Sequence, residues 1–106
     1  FRILAQSAIA FAKLQADLLL QNRLPAMLTN RIDVQHGGLM CYYADVSEHW
    51  NQVAIYVDRI LKGESPGELP VAMPTKFQFV LNLKTARALG LTIPSGVLAI
   101  VDEVIE

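Results

Sequence analysis

The sequence predicts an α/β fold in which helices pack on a short, mostly parallel sheet. Two observations carry that expectation. Three apolar runs of strand character, at residues 26–28, 39–43 and 77–81, alternate with segments of helical periodicity, the order that belongs to the α/β class. Glycine and proline stand at the breaks, in Pro25, Gly37-Gly38, Gly63, Pro66-Gly67, Pro70, Pro74 and Gly90, where such residues punctuate structure.

Residues 2–22 read as the first helix. Arg2, Gln6, Lys13 and Asp17 share one narrow stripe and almost everything else is apolar, so this helix expects cover on several sides. Pro25 ends it by disfavouring helical geometry at Leu24. Ala26-Met27-Leu28 is a short buried strand, and Ile32 to Gln35 is one helical turn that Gly37-Gly38 breaks. Leu39 to Tyr43 is the second strand. Alternation puts Leu39, Cys41 and Tyr43 on one side of it and Met40 and Tyr42 on the other.

Asp45 or Ser47 is placed to cap the next helix, and Asp45-x-x-Glu48 has the spacing of a capping box. In that helix Val46, Trp50, Val53, Val57, Ile60 and Leu61 share one face. Glu48, Asn51, Gln52, Asp58, Arg59 and Lys62 share the other, and Gly63 closes it. Residues 64–74 form a loop. Phe77 to Leu81 is the third strand, Asn82 caps a helix over Leu83 to Leu89, and a further short helix starts at Thr92-Ile93-Pro94-Ser95. Asp102 to Ile105 is either a continuation of that helix or an edge strand; periodicity does not choose.

The chain has 106 residues, 53% hydrophobic and 18% charged, with a net charge of -1. That length suits one small core, and the apolar excess implies surface that a partner covers. Nothing in the charge favours nucleic acid or an anionic membrane. A single cysteine, Cys41, rules out an internal disulfide. Residues 3–20 are long enough for a membrane span, but Lys13 and Asp17 lie inside the stretch, where central charges are costly. No secretory signal is visible, and Phe1 reads as a cut in a longer protein.

Few residues suit chemistry. His36, Cys41, Asp45 and His49 are the one cluster of metal-ligand types, but their spacing lacks the close pairs of zinc sites; a polar turn beside a buried thiol is the simpler reading. Cys41 lies between Met40 and Tyr42, not in the electropositive setting a reactive thiolate needs. Gly37-Gly38 fits neither a dinucleotide fingerprint nor a P-loop. No metal, cofactor or catalytic residue is therefore assigned. Thr29 and Asn30 follow a buried strand at its carboxyl end, where α/β sheets bind ligands. Tyr42 stands beside a chain crossover with a ring able to stack and a hydroxyl able to bond. These three are the candidate ligand-binding residues.

Several stretches in order resemble the C-terminal portion of the ABC transporter substrate-binding proteins that include tryptophan- and tyrosine-uptake members. They are Arg23-Leu24-Pro25-Ala26, Gly37-Gly38-Leu39-Met40-x-Tyr42, Tyr56 to Gly63, Leu69-Pro70-Val71, Pro74-Thr75-Lys76-Phe77, Asn82 to Ala86, Ala88 to Pro94 and Asp102 to Ile105. The resemblance covers residues 23–106. It implies a fragment of a two-lobed fold similar to type I periplasmic binding proteins, with two α/β lobes joined by hinge crossings. Residues 1–43 then belong to the C-terminal lobe and lead into a crossing. Residues 44–73 belong to the N-terminal lobe, and residues 74–106 return through a second crossing.

The family usually has Met-x-Tyr-Gly-Pro-Asp, whereas Tyr43-Ala44-Asp45 follows Tyr42 here, an added ring expected to narrow the crossing or alter ligand choice. Met27-Leu28-Thr29-Asn30 is also not the usual strand ending.

The resemblance implies the solute-binding component of an uptake transporter, capturing a small organic molecule such as an amino acid without chemistry. It would work outside the cytoplasm and hand its solute to a membrane permease. Most of one lobe is missing, so the fragment is expected to self-associate over the apolar face left bare. A ligand-sensing regulatory module of the same fold is the alternative, and an enzyme using Cys41 or the histidines is a third.

Overall fold

A computed structural model describes residues 11–106; the part of the first helix expected over residues 2–10 lies outside them. The elements are α1 (Ala12–Gln21), β1 (Met27–Leu28), α2 (Arg31–Gln35), β2 (Met40–Ala44), α3 (Val46–Leu61), a 3-10 turn (Pro66–Glu68), β3 (Phe77–Asn82), α4 (Leu83–Ala88), α5 (Ser95–Leu98) and β4 (Glu103–Ile105). The chain divides into two compact units. One runs to Tyr43 and resumes at Gln78–Glu106; the other is Ala44–Phe77.

The first unit is built on a four-stranded sheet of order β1-β2-β3-β4. β1 pairs with β2 in parallel, Leu28 opposite Cys41, and β3 pairs with β4 in parallel, Val80 opposite Glu103. Backbone bonds from Asn82 to Leu39 (2.8 Å) and from Asp45 to Lys76 (2.9 Å) make the central β2–β3 pairing antiparallel. Two of the three pairings are thus parallel, and their strands run in opposite directions.

That register fixes two cores, because residues side by side on neighbouring strands point to the same face. Leu28, Cys41 and Val80 form one row, and with Val34 of α2 they make a buried cluster joined by Leu19 of α1. Leu81 faces the other way and packs with Ala86 of α4, joined by Met40, Ile93 and Val101. Leu39 belongs to this second cluster, on the side of Met40 rather than of Cys41 as alternation predicts. The reason is local: the strand starts at Met40, so the two-residue period does not reach back to Leu39.

Asn82 ties the layers together. Its Oδ1 accepts the Thr85 N–H (3.0 Å), the cap the sequence suggests for α4, and its Nδ2 donates to the Val34 carbonyl (3.0 Å). Thr85 Oγ1 in turn donates to the Gly37 carbonyl (2.8 Å). The open question at residues 102–105 resolves as a strand. Asp102 bonds Phe79 twice, its N–H donating to the Phe79 carbonyl (2.9 Å) and its carboxylate accepting the Phe79 N–H (2.8 Å), which delivers β4 alongside β3.

In the second unit, Asp45 caps α3 by accepting the Ser47 N–H (2.9 Å). The reciprocal half of a capping box is not what Glu48 supplies; both its oxygens accept from Thr75 Oγ1 (3.1 Å each). Tyr56 donates its hydroxyl to the Pro70 carbonyl. Lys62–Asp58 (2.8 Å) and Arg59–Glu64 (2.7 Å) are surface ion pairs near the end of the helix. No residue of α3 is buried, and Trp50 (66%) and Leu61 (81%) stand well exposed on the face predicted to be apolar.

Candidate functional site

β1 ends at Leu28, so Thr29 and Asn30 emerge at the carboxyl end of the first parallel pair, at the end of the sheet where β3 and β4 begin. Asn30 occupies the N-cap position of α2 with extended backbone (φ -135°, ψ 144°), yet its side chain makes no cap bond. Its Nδ2 donates instead to Thr29 Oγ1 at 3.3 Å. The structure therefore brings these two candidates together. Behind them Asp33 is buried. Desolvation pushes its carboxyl up, opposed by hydrogen bonds from the Asn30 side chain and backbone and by nearby His36.

Tyr42 lies on the opposite face of β2 from Cys41 and is 55% exposed. Its ring meets Phe79 edge-to-face, with centroids 6.4 Å apart and planes at 73°. Tyr42 is thus held by an aromatic neighbour, and Thr29 and Asn30 are held by each other.

An ion pair that spacing does not reveal borders this end of the sheet. Arg31 Nε donates to Glu103 Oε2 (2.7 Å) and Nη2 to Oε1 (2.5 Å). The bond holds the Arg31 guanidinium charged and pulls the Glu103 carboxyl below its ordinary range. Arg31 adjoins a candidate residue, but its partner is 72 positions away, beyond any sequence signal.

Cys41 is fully buried, and burial raises its pKa, the opposite of what activates a thiol. Nδ1 of His36 lies 2.8 Å from the Ile32 carbonyl oxygen, which places the proton on Nδ1. Among the described residues no three His, Cys, Asp or Glu are gathered to hold a metal ion, and no helix is long and apolar enough to cross a membrane.

A cavity of about 380 Å³ in the first unit lies at the other end of the sheet from Thr29 and Asn30. Its wall includes His36, Gly37, Asn82 and Thr85; the Asn82 amide and the Thr85 hydroxyl already bond backbone groups. In the second unit a smaller depression of about 150 Å³ is lined by Asp45, Glu48, His49 and Thr75 among others.

The profile of the family described as ABC transporter substrate binding protein matches residues 7–105. The chain belongs to that family. As a substrate-binding protein chain it is similar in structure to a conserved domain protein from Vibrio cholerae O1 biovar El Tor, with 27% identity and a TM-score of 0.84 over 93% of this chain. It is also similar to an ABC domain from Streptococcus pneumoniae solved in complex with L-Trp, with 28% identity and a TM-score of 0.74 over 85% of this chain.

The ligand-free, open structure of CD0873, a substrate-binding protein with adhesive properties from Clostridium difficile, shares the fold at 22% identity, with a TM-score of 0.60 over 92% of this chain. These periplasmic-binding-protein-like structures are much longer: the chain covers 33%, 31% and 32% of them, respectively. No curated protein matches. Substrate-binding proteins of ABC transporters bind small solutes, are generally extracytoplasmic and are generally not enzymes.

Proposed function

We propose that this chain is the C-terminal portion of the solute-binding component of an ABC-type uptake transporter, and that the intact protein captures a small organic molecule without chemical change. The observation that carries the reading is the shared fold, over 85% of this chain, with the Streptococcus pneumoniae domain solved with L-Trp. Amino acids are accordingly the first ligand class to test. Residues 1–43 contribute to the C-terminal lobe and lead into a hinge crossing, residues 44–73 supply a helix and loop to the N-terminal lobe, and residues 74–106 return through a second crossing. Thr29, Asn30 and Tyr42 contact the solute. Thr29 offers a hydroxyl, Asn30 an amide and Tyr42 a ring, a set that binds by hydrogen bonds and packing and contains no nucleophile-base pair.

Closure of two lobes about a hinge encloses the solute, and the loaded protein meets a membrane permease on the outer side of the membrane. No cofactor takes part. Separated from its other lobe, the chain covers the apolar face of α3 by association with a second copy. Titration of the full-length protein that carries this chain with the twenty standard amino acids tests the reading. Saturable binding supports it; no binding by any of them counts against it.

A further inference from the structure

The loop that carries two of the proposed contacts is held from within by Asp33, whose buried carboxyl accepts from the Asn30 side chain and backbone. The Asn30–Thr29 bond is 3.3 Å long and exposed, at the weak end of the range, and Asn30 does not cap the helix that follows it. A second tether lies one residue further on. Arg31 opens α2 after the first strand, whereas Glu103 opens the last strand, and these strands are the two opposite edges of the sheet. Glu103 stands opposite Val80, in the row that continues through Cys41 and Leu28, so its side chain rises on the face that α2 covers. The fork-to-fork bond of 2.7 and 2.5 Å therefore spans the sheet from edge to edge. Two parallel charge-assisted bonds fix the plane of a guanidinium as well as its position.

We propose that Arg31 and Glu103 are a positioning pair, which sets Thr29 and Asn30 for solute binding without touching the solute. Both Glu103 oxygens and two guanidinium nitrogens of Arg31 are engaged with each other. The pair is internally neutral, so it serves as a clasp and not as a counter-ion for a charged ligand. Asp33, behind the loop, restrains Asn30 from the other side.

The inference rests on the solute-binding reading. The test uses the full-length protein with Arg31→Lys, Glu103→Gln and the exchanged pair Arg31→Glu with Glu103→Arg. Each is titrated with L-tryptophan first and then with the other standard amino acids, and the backbone and side-chain amide resonances of Asn30 are followed without ligand. Arg31→Lys keeps the charge and loses the fork, so affinity falls about tenfold while the protein stays folded. Glu103→Gln does the same, the Asn30 resonances move in both, and the exchanged pair recovers much of the affinity. Wild-type affinity and unmoved Asn30 resonances in both single variants overturn this proposal alone, as does a fall in thermal stability with affinity unchanged. Absence of any binding by the unaltered protein overturns the solute-binding reading and this proposal with it.

Discussion

A β-carbon on Gly38 would stand inside the side chain of Leu28, and only 2.9 Å from the carbonyl oxygen of Asp33. Gly38 is therefore a close approach between the turn after α2 and the end of β1. Gly38→Ala forces Leu28 or the Asp33 carbonyl to shift, and overpacking of this kind costs about 1–3 kcal/mol. Urea denaturation of the full-length protein is expected to show a lower midpoint with an unchanged slope.

Cys41 has no exposed surface, and its sulfur sits in the row between Leu28 and Val80. A thiol reagent is expected to label it slowly in the native protein and fully after denaturation. Cys41→Ala leaves solute binding intact. Cys41→Ser places a hydroxyl among apolar groups and destabilises by about 1–3 kcal/mol. Loss of a measured turnover in Cys41→Ser would instead favour an enzyme.

Acid stability divides between two carboxylates of opposite sign. Burial raises the Asp33 pKa. Between the ordinary and the raised value the folded state holds the extra proton, so Asp33 costs stability as the pH rises through that interval. Asp33→Asn keeps an acceptor for Asn30, is more stable than the parent at neutral pH, and loses that advantage in acid. Glu103 is lowered by Arg31, so it stabilises above its ordinary value and loses that contribution as the pH falls through the lowered one. Glu103→Gln is less stable at neutral pH, and the difference closes in acid. Thermal melts across the acid range check both signs.

The exposed face of α3 predicts the behaviour of the isolated chain. Val46, Trp50, Val57 and Leu61 share one side of the helix and each is at least half exposed, a patch that soluble monomers seldom leave open. Light scattering after size-exclusion chromatography is expected to find the 106-residue chain as a dimer or larger. Trp50→Glu shifts it toward the monomer. A monomer at all concentrations contradicts the self-association.

Much of the fold was legible because its signals are local. The apolar stripe and Asp45 mark α3, Asn82 marks the cap of α4, and Pro25 with Gly37-Gly38 brackets the short β1–α2 segment. What was not legible depends on partners far along the chain. β4 exists because Asp102 bonds Phe79, 23 positions earlier, and no periodicity within residues 102–105 encodes that. Leu39 joins the second core because β2 begins one residue later. At the candidate site, the place of Thr29 and Asn30 after a strand was legible, whereas Arg31 and Glu103 meet only once the sheet has brought its two edges under one helix.

Calorimetric titration of the full-length protein with the standard amino acids, L-tryptophan first, asks whether the protein captures a solute unchanged. Saturable one-to-one binding is expected with the solute recovered unchanged, weakened about tenfold or more by Thr29→Val, Asn30→Ala or Tyr42→Ala. Absence of saturable binding across the set, or recovery of a chemically altered solute, would contradict solute capture without chemistry.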